Sequence, residues 1–145
     1  MRILLYTLIL LLLLYAPVKR LDVAKLEPVE IVCMDADAGE ILLSTDTEAW
    51  GRGEETASAL ADMQDRTPGV IYLDTAEFLL VTPAAISQIE SLRPYLKESV
   101  RICGTDDTDL SGMAKFLEIH GALPTLKEWE TGDSLPTIND GKIIE

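Results

Sequence analysis

Three carboxylates, a hydroxyl and a glycine fall at informative intervals over residues 107–118 of this 145-residue chain. Asp107, Asp109, Ser111, Gly112 and Glu118 occupy positions 1, 3, 5, 6 and 12 of a calcium-loop template. Calcium is a hard cation that takes oxygen ligands, and the glycine at position 6 makes the sharp turn that aims them inward. The chemistry this spacing predicts is calcium coordination by Asp107, Asp109, Ser111 and Glu118. Two residues oppose it: Ala114 stands at the usually branched position 8, and Lys115 brings a positive charge to position 9. The incoming segment also reads as a strand where the template wants a helix. The competing expectation is that Asp107 to Asp109 cap the start of the helix that follows.

Elsewhere the reactive residue types are dispersed. His120 is the only histidine, which excludes a histidine-based metal cluster and leaves a single ring for any Ser-His-Asp triad. It precedes Gly121 at the end of a predicted helix, where an imidazole interacts with free carbonyls and the helix dipole. Carboxylates lie close in sequence at Asp35/Asp37, Glu54/Glu55 and Asp106/Asp107/Asp109, but a chain with 25 acids produces such pairs without function. Gly51-Arg52-Gly53 resembles the opening of a phosphate loop, yet Thr56 stands where the dinucleotide fingerprint needs its third glycine, and no Walker lysine follows. These glycines are read as a flexible connection. No catalytic constellation is visible, and the expectation is a protein without enzymatic activity. Cys33 and Cys103 lie in apolar, strand-like stretches. They pair across the sheet in an oxidising location or stay buried as free thiols, and the sequence leaves both open.

The elements that must position these residues follow from the hydrophobic pattern. Residues 29–35 alternate, Asp37-Ala38-Gly39 supplies a turn, and residues 40–45 resume an apolar run, which predicts a β-hairpin. Residues 54–64 form a short helix on which Ala57, Leu60, Ala61 and Gln64 share one face, with acids in the first turn. Pro68-Gly69 ends it, and residues 70–73 and 77–81 are strands, paired or consecutive. Thr82-Pro83 is an N-cap followed by proline at the first helical position, with Ile86, Ile89 and Leu92 at helical spacing until Pro94. Residues 99–103 form another strand, a helix covers about 110–120, and one turn covers 125–129. The expected fold class is α/β or α+β: a single small domain with a mixed β-sheet, an opening antiparallel hairpin and packed helices. Its expected bounds are 25–131, with an irregular tail over 132–145.

Residues 1–24 read differently. Arg2 precedes an uncharged run over 3–18, the pattern of a signal anchor or a secretory signal. Pro17, Lys19 and Arg20 follow where a small-x-small cleavage site is wanted, so an uncleaved anchor is expected, with a cleaved signal as the alternative. The expected location is the cell membrane with the domain outside the cytoplasm, or secretion after cleavage. Setting aside Arg2, Lys19, Arg20 and Asp22 leaves nine bases against 24 acids from Lys25 onward, a formal charge of −15. Such a surface repels phosphate backbones and anionic head groups, which argues against nucleic acid and anionic lipid as partners of the domain.

Over residues 21–104 the order of features resembles the N-terminal domain of Ger(x)C proteins, the C subunits of spore-germination receptors. The resemblance is carried by the hairpin through Gly39, by Gly53-Glu54-Glu55-Thr56-Ala57 opening a short helix, and by the apolar strands through Ile71 and Phe78 leading into Ala84-Ala85-Ile86. Ser91-Leu92-Arg93-Pro94 followed by Val100-Arg101-Ile102-Cys103 is similar to that family's closing helix and strand. The lipid-acceptor cysteine is absent, Asp74 stands near the place of a frequent histidine, and the family continues into further domains. The resemblance implies a non-catalytic, membrane-tethered subunit that acts through a protein partner, and it transfers no catalytic residue.

Overall fold

The computed structural model describes residues 25–120, 122–139 and 142–144, together with Tyr6. The expected anchor over 1–24 therefore lies outside the described residues, Tyr6 apart. Among the described residues no helix is long and apolar enough to cross a membrane.

The first strands are β1 (Leu26–Pro28), β2 (Ile31–Asp37), β3 (Glu40–Thr45) and β4 (Trp50–Gly53). Helix α1 (Thr56–Arg66) leads to β5 (Val70–Tyr72) and β6 (Phe78–Val81). A 3-10 stretch (Pro83–Gln88) runs into the single turn of α2 (Ile89–Leu92). Then come β7 (Arg101–Thr105), α3 (Met113–His120), β8 (Thr137–Asn139) and β9 (Lys142–Ile144). Seven strands form one sheet in the order β4-β3-β2-β6-β7-β8-β9. Its middle four, β2, β6, β7 and β8, are parallel, and antiparallel neighbours close both margins. The fold is thus a mixed α/β sheet with helices on it, opening on the antiparallel hairpin that the sequence predicts.

Alternation along β2 sorts the core into two layers, as the period of a strand requires. Val32 and Met34 join Leu79, Val81 and Ile102 on one face, under α1 and the 3-10/α2 segment. Ile31 and Cys33 join Phe78, Leu80 and Cys103 on the other, under Leu117 of α3. All four residues of β6 are fully buried, because both of its faces and both of its edges are covered. The hairpin turns through Ala38 and Gly39, both at positive φ (51° and 88°), as a tight two-residue connection demands.

Several expectations need correction. Gly51 and Gly53 do not form a flexible connection; they belong to β4, against which α1 packs without room for side chains. The buried face of α1 is accordingly Thr56, Ala59 and Met63, while Ala57 and Ala61 are exposed. Gln64 faces the next loop, donating to the Gly69 carbonyl (2.7 Å) and accepting from the Ile71 amide (3.0 Å). That loop delivers β5 to β1, with which it forms a separate two-stranded parallel ribbon, so β5 and β6 are not partners. Thr82 precedes its helical segment as expected, but its hydroxyl donates to Asp35 Oδ1 (2.5 Å) and makes no cap. The C-terminal stretch is not irregular throughout. β8 pairs in parallel with β7, and β9 with β8, which extends the sheet.

Arg93 fastens the segment after α3 to this frame. Its guanidinium donates to the carbonyls of Leu126 and of Trp129 (3.2 Å) while Glu90 receives its Nε (2.9 Å) and Nη2 (2.8 Å). That pairing holds the Glu90 carboxyl below its ordinary pKa.

Candidate functional site

The acidic loop begins where β7 ends. The Thr105 hydroxyl accepts from the Asp107 amide (3.1 Å) and donates to the Asp107 carbonyl (2.9 Å), folding the chain back on itself. Asp107 Oδ1 then accepts from the Asp109 amide (2.9 Å), and Asp109 Oδ1 from the Ser111 amide (3.0 Å). Short acidic side chains that bond the backbone two residues on build successive turns. Gly112 follows at φ 76°, and the Met113 amide donates to the Leu110 carbonyl to open α3. Each aspartate thus commits one oxygen to the turns that lead into the helix.

Glu118 stands near Glu30, which precedes the amino end of β2, whereas Asp107 lies beyond the carboxyl end of β7. Burial, then Asp46, Glu118 and Glu77, raise the pKa of Glu30 above its ordinary 4.5. The structure does not bring Asp107, Asp109, Ser111 and Glu118 together as one ligand set. Among the described residues no three acidic, histidine or cysteine side chains group closely enough to hold an ion.

A different set does share a space with the loop. A cavity of about 370 Å³ is lined by Ser44, Asp46, Glu48, Asp109 and Ser111 among others, with no base. Asp46 reaches it from the β3–β4 turn, where its Oδ1 also accepts from the Glu30 and Ile31 amides (both 3.0 Å). Glu48 occupies the left-handed position of the same turn, at φ 63°. Sequence reasoning singled out neither residue. The available signal was a pair of acids, Asp46 and Glu48, in the turn between two strands. Such a lining attracts cationic groups.

The two thiols occupy one row. Cys33 is in register with Leu80, and Leu80 with Cys103, so the cysteines flank β6 on the same face. Two strand spacings put their Cα atoms roughly 10 Å apart, beyond the ~7 Å limit for a bridge. Both are free and buried, which corrects the disulfide alternative. Burial pushes each thiol up to about 11; for Cys33 the Asp35 and Asp107 carboxylates add to it, against a hydrogen bond from Ser44. Cys103 donates to the Pro136 carbonyl (2.9 Å), and neither group is activated as a nucleophile.

The remaining sequence candidates stay apart. Asp35 is half-buried and bound by Thr82 and the Ala36 amide (2.8 Å), while Asp37, Glu54, Glu55 and Asp106 are exposed. The side chain of His120 and the whole of Gly121 lie outside the described residues, and the capping role expected there goes with them. Compared with protein-family models, with curated proteins and with solved structures, the chain matches none.

Proposed function

We propose that the chain is a non-catalytic interaction module, tethered to a membrane or exported by its N-terminal segment, that acts by contact with a protein partner. The observation that carries this reading is a surplus of unneutralised carboxylates. The chain has 25 acids against 12 bases, and three ion pairs, Asp62–Arg66, Glu90–Arg93 and Glu77–Arg101, are present among the described residues. A folded domain gains nothing in stability from that surplus, since self-repulsion destabilises the compact state. It does favour encounter with a surface of opposite sign. The uncharged run over 3–18 supports the tether. The resemblance to the germination-receptor C subunits supports a subunit working by contact outside the cytoplasmic membrane.

A calcium-binding reading draws on the acidic loop, where Asp107 and Asp109 each hold a backbone amide on one oxygen, and would require Glu118 to move in beside them. The contact reading needs no rearrangement, and we prefer it.

Membrane fractionation of the full chain, with chemical cross-linking in intact cells, tests the proposal. The expected result is a membrane pellet resistant to alkaline wash, release on deletion of residues 1–24, and one discrete cross-linked heteromer. A full-length chain found soluble inside the cell, without cross-links, would overturn it.

A further inference from the structure

A groove of about 280 Å³ lies beside the turn that joins β3 to β4, walled by Glu27, Glu48, Ala49, Trp50, Arg66 and Pro68 among others. Trp50 is 43 % exposed on the outermost strand of the sheet. Arg66 lies over its ring, 4.1 Å from the centroid, and is held there by Asp62 at 2.8 Å. The indole therefore already receives one guanidinium, whose charge is balanced within α1. Glu27 is half-buried and Glu48 exposed, and neither is in an ion pair among the described residues. The wall thus combines a rigid aromatic, a proline and two carboxylates without cationic partners.

We propose that this groove docks a basic, extended segment of a partner protein, with a cationic side chain between Glu27 and Glu48 and an apolar or proline side chain against Trp50. This rests on the reading of the chain as an interaction module, and it names the chemistry of the partner. Charge complementarity selects the occupant. An acidic segment or a nucleic-acid strand meets both carboxylates and the chain's formal charge of −13, and a second copy of the chain brings the same charge. Tryptophan is also enriched among the side chains that anchor interfaces, because it buries a large apolar area at small conformational cost.

The groove carries its own reporter. Trp50 is exposed, while the other tryptophan, Trp129, is 3 % exposed within the core. The test is a titration of the full chain, in non-ionic detergent, with the end-blocked peptide Pro-Arg-Pro-Lys-Pro and its acidic twin Pro-Glu-Pro-Asp-Pro, followed by tryptophan emission. The expected result is a saturable change with the basic peptide alone, weakened by salt and lost in Trp50→Phe. Glu27→Gln and Glu48→Gln, which keep side-chain size, should each weaken binding by about tenfold. Equal response to the acidic twin would overturn the assignment, as would unchanged affinity in the double glutamine variant with an unaltered near-ultraviolet dichroism spectrum. Peptide binding without cellular cross-links would sink the wider reading and leave the groove assignment standing. Cross-links without peptide binding would do the reverse.

Discussion

Gly51 and Ala59 approach so closely that a Cβ on Gly51 would stand 2.3 Å from the Ala59 carbonyl oxygen, and as close to the Met63 amide nitrogen. The obstruction is helix backbone and cannot swing aside. Gly51→Ala should therefore fall at the upper end of overpacking costs, about 3 kcal/mol, read as a lower denaturant midpoint with unchanged slope. Gly39→Ala is the control for conformation alone, since open space surrounds that residue at φ 88°. It should cost about 1 kcal/mol. Equal effects at the two sites would refute the close-packing account.

Ala38 and Glu48 hold left-handed backbone that costs a side-chain-bearing residue about 1 kcal/mol. Ala38→Asn, ahead of Gly39, should stabilise by about 0.5 kcal/mol, since Asn-Gly suits a two-residue hairpin turn. Glu48→Gly should stabilise by roughly 0.5–1 kcal/mol while weakening the basic-peptide binding proposed above. Thermal melts and the peptide titration on one preparation separate the two effects.

Glu30 contributes a pH dependence of definite sign. Its folded pKa lies above its ordinary 4.5, so the native state binds more protons there than the unfolded chain does. Its stabilising contribution is complete below the unfolded value and is lost as pH rises through the folded one. Glu30→Gln should raise the melting temperature at pH 7 and have little effect near pH 3. A larger benefit in acid than at neutrality would reverse the assignment.

Cys33 and Cys103 should resist alkylation in the native protein, since burial and a pKa of about 11 deny both the thiolate. A thiol count on denatured, unreduced protein should return two. Returning none would mean that the row across β6 is wrong.

Asp109→Ala should cost about 1 kcal/mol, the usual net worth of one hydrogen bond, here in the turn before α3. Calcium should shift the melting temperature no more than magnesium at equal ionic strength, because Asp107, Asp109 and Glu118 do not group closely enough to hold an ion. A calcium-specific shift abolished in Asp107→Ala would restore the metal-binding reading.

Local patterns in the sequence reveal the elements better than their faces or partners. The first hairpin is legible because the pattern of residues 29–35, the turn residues Asp37-Ala38-Gly39 and the apolar run over 40–45 lie within one short window. The face of α1 is not. Ala57 and Ala61 look apolar, but the glycines of β4 let the helix approach through Ala59 and Met63, a matter settled by another element. Strand order is equally hidden: nothing near Val70 shows that it meets Leu26, or that Phe78 meets both Ile31 and Arg101. At the acidic loop the spacing of Asp107, Asp109 and Ser111 is real, but the same spacing builds consecutive turns. Whether the carboxylates converge distinguishes a turn from a ligand set, and that depends on the fold. Asp46 and Glu48 reach the neighbouring cavity from a distant turn, which a linear motif cannot express.

The enclosure of β6 also governs how the chain must fold. Its pairing with β2 joins Phe78 to Ile31, so the hairpin, β4 and α1 are all synthesised before that contact can form. Closing so long a loop has an entropic cost that nearby contacts do not have, which makes the β2–β6 pairing the natural slow step. Until it closes, Phe78, Leu79, Leu80 and Val81 form an apolar, charge-free segment open to solvent. Within the described sheet, exposure to self-association is therefore greatest in the interval between local assembly and the arrival of the central strand.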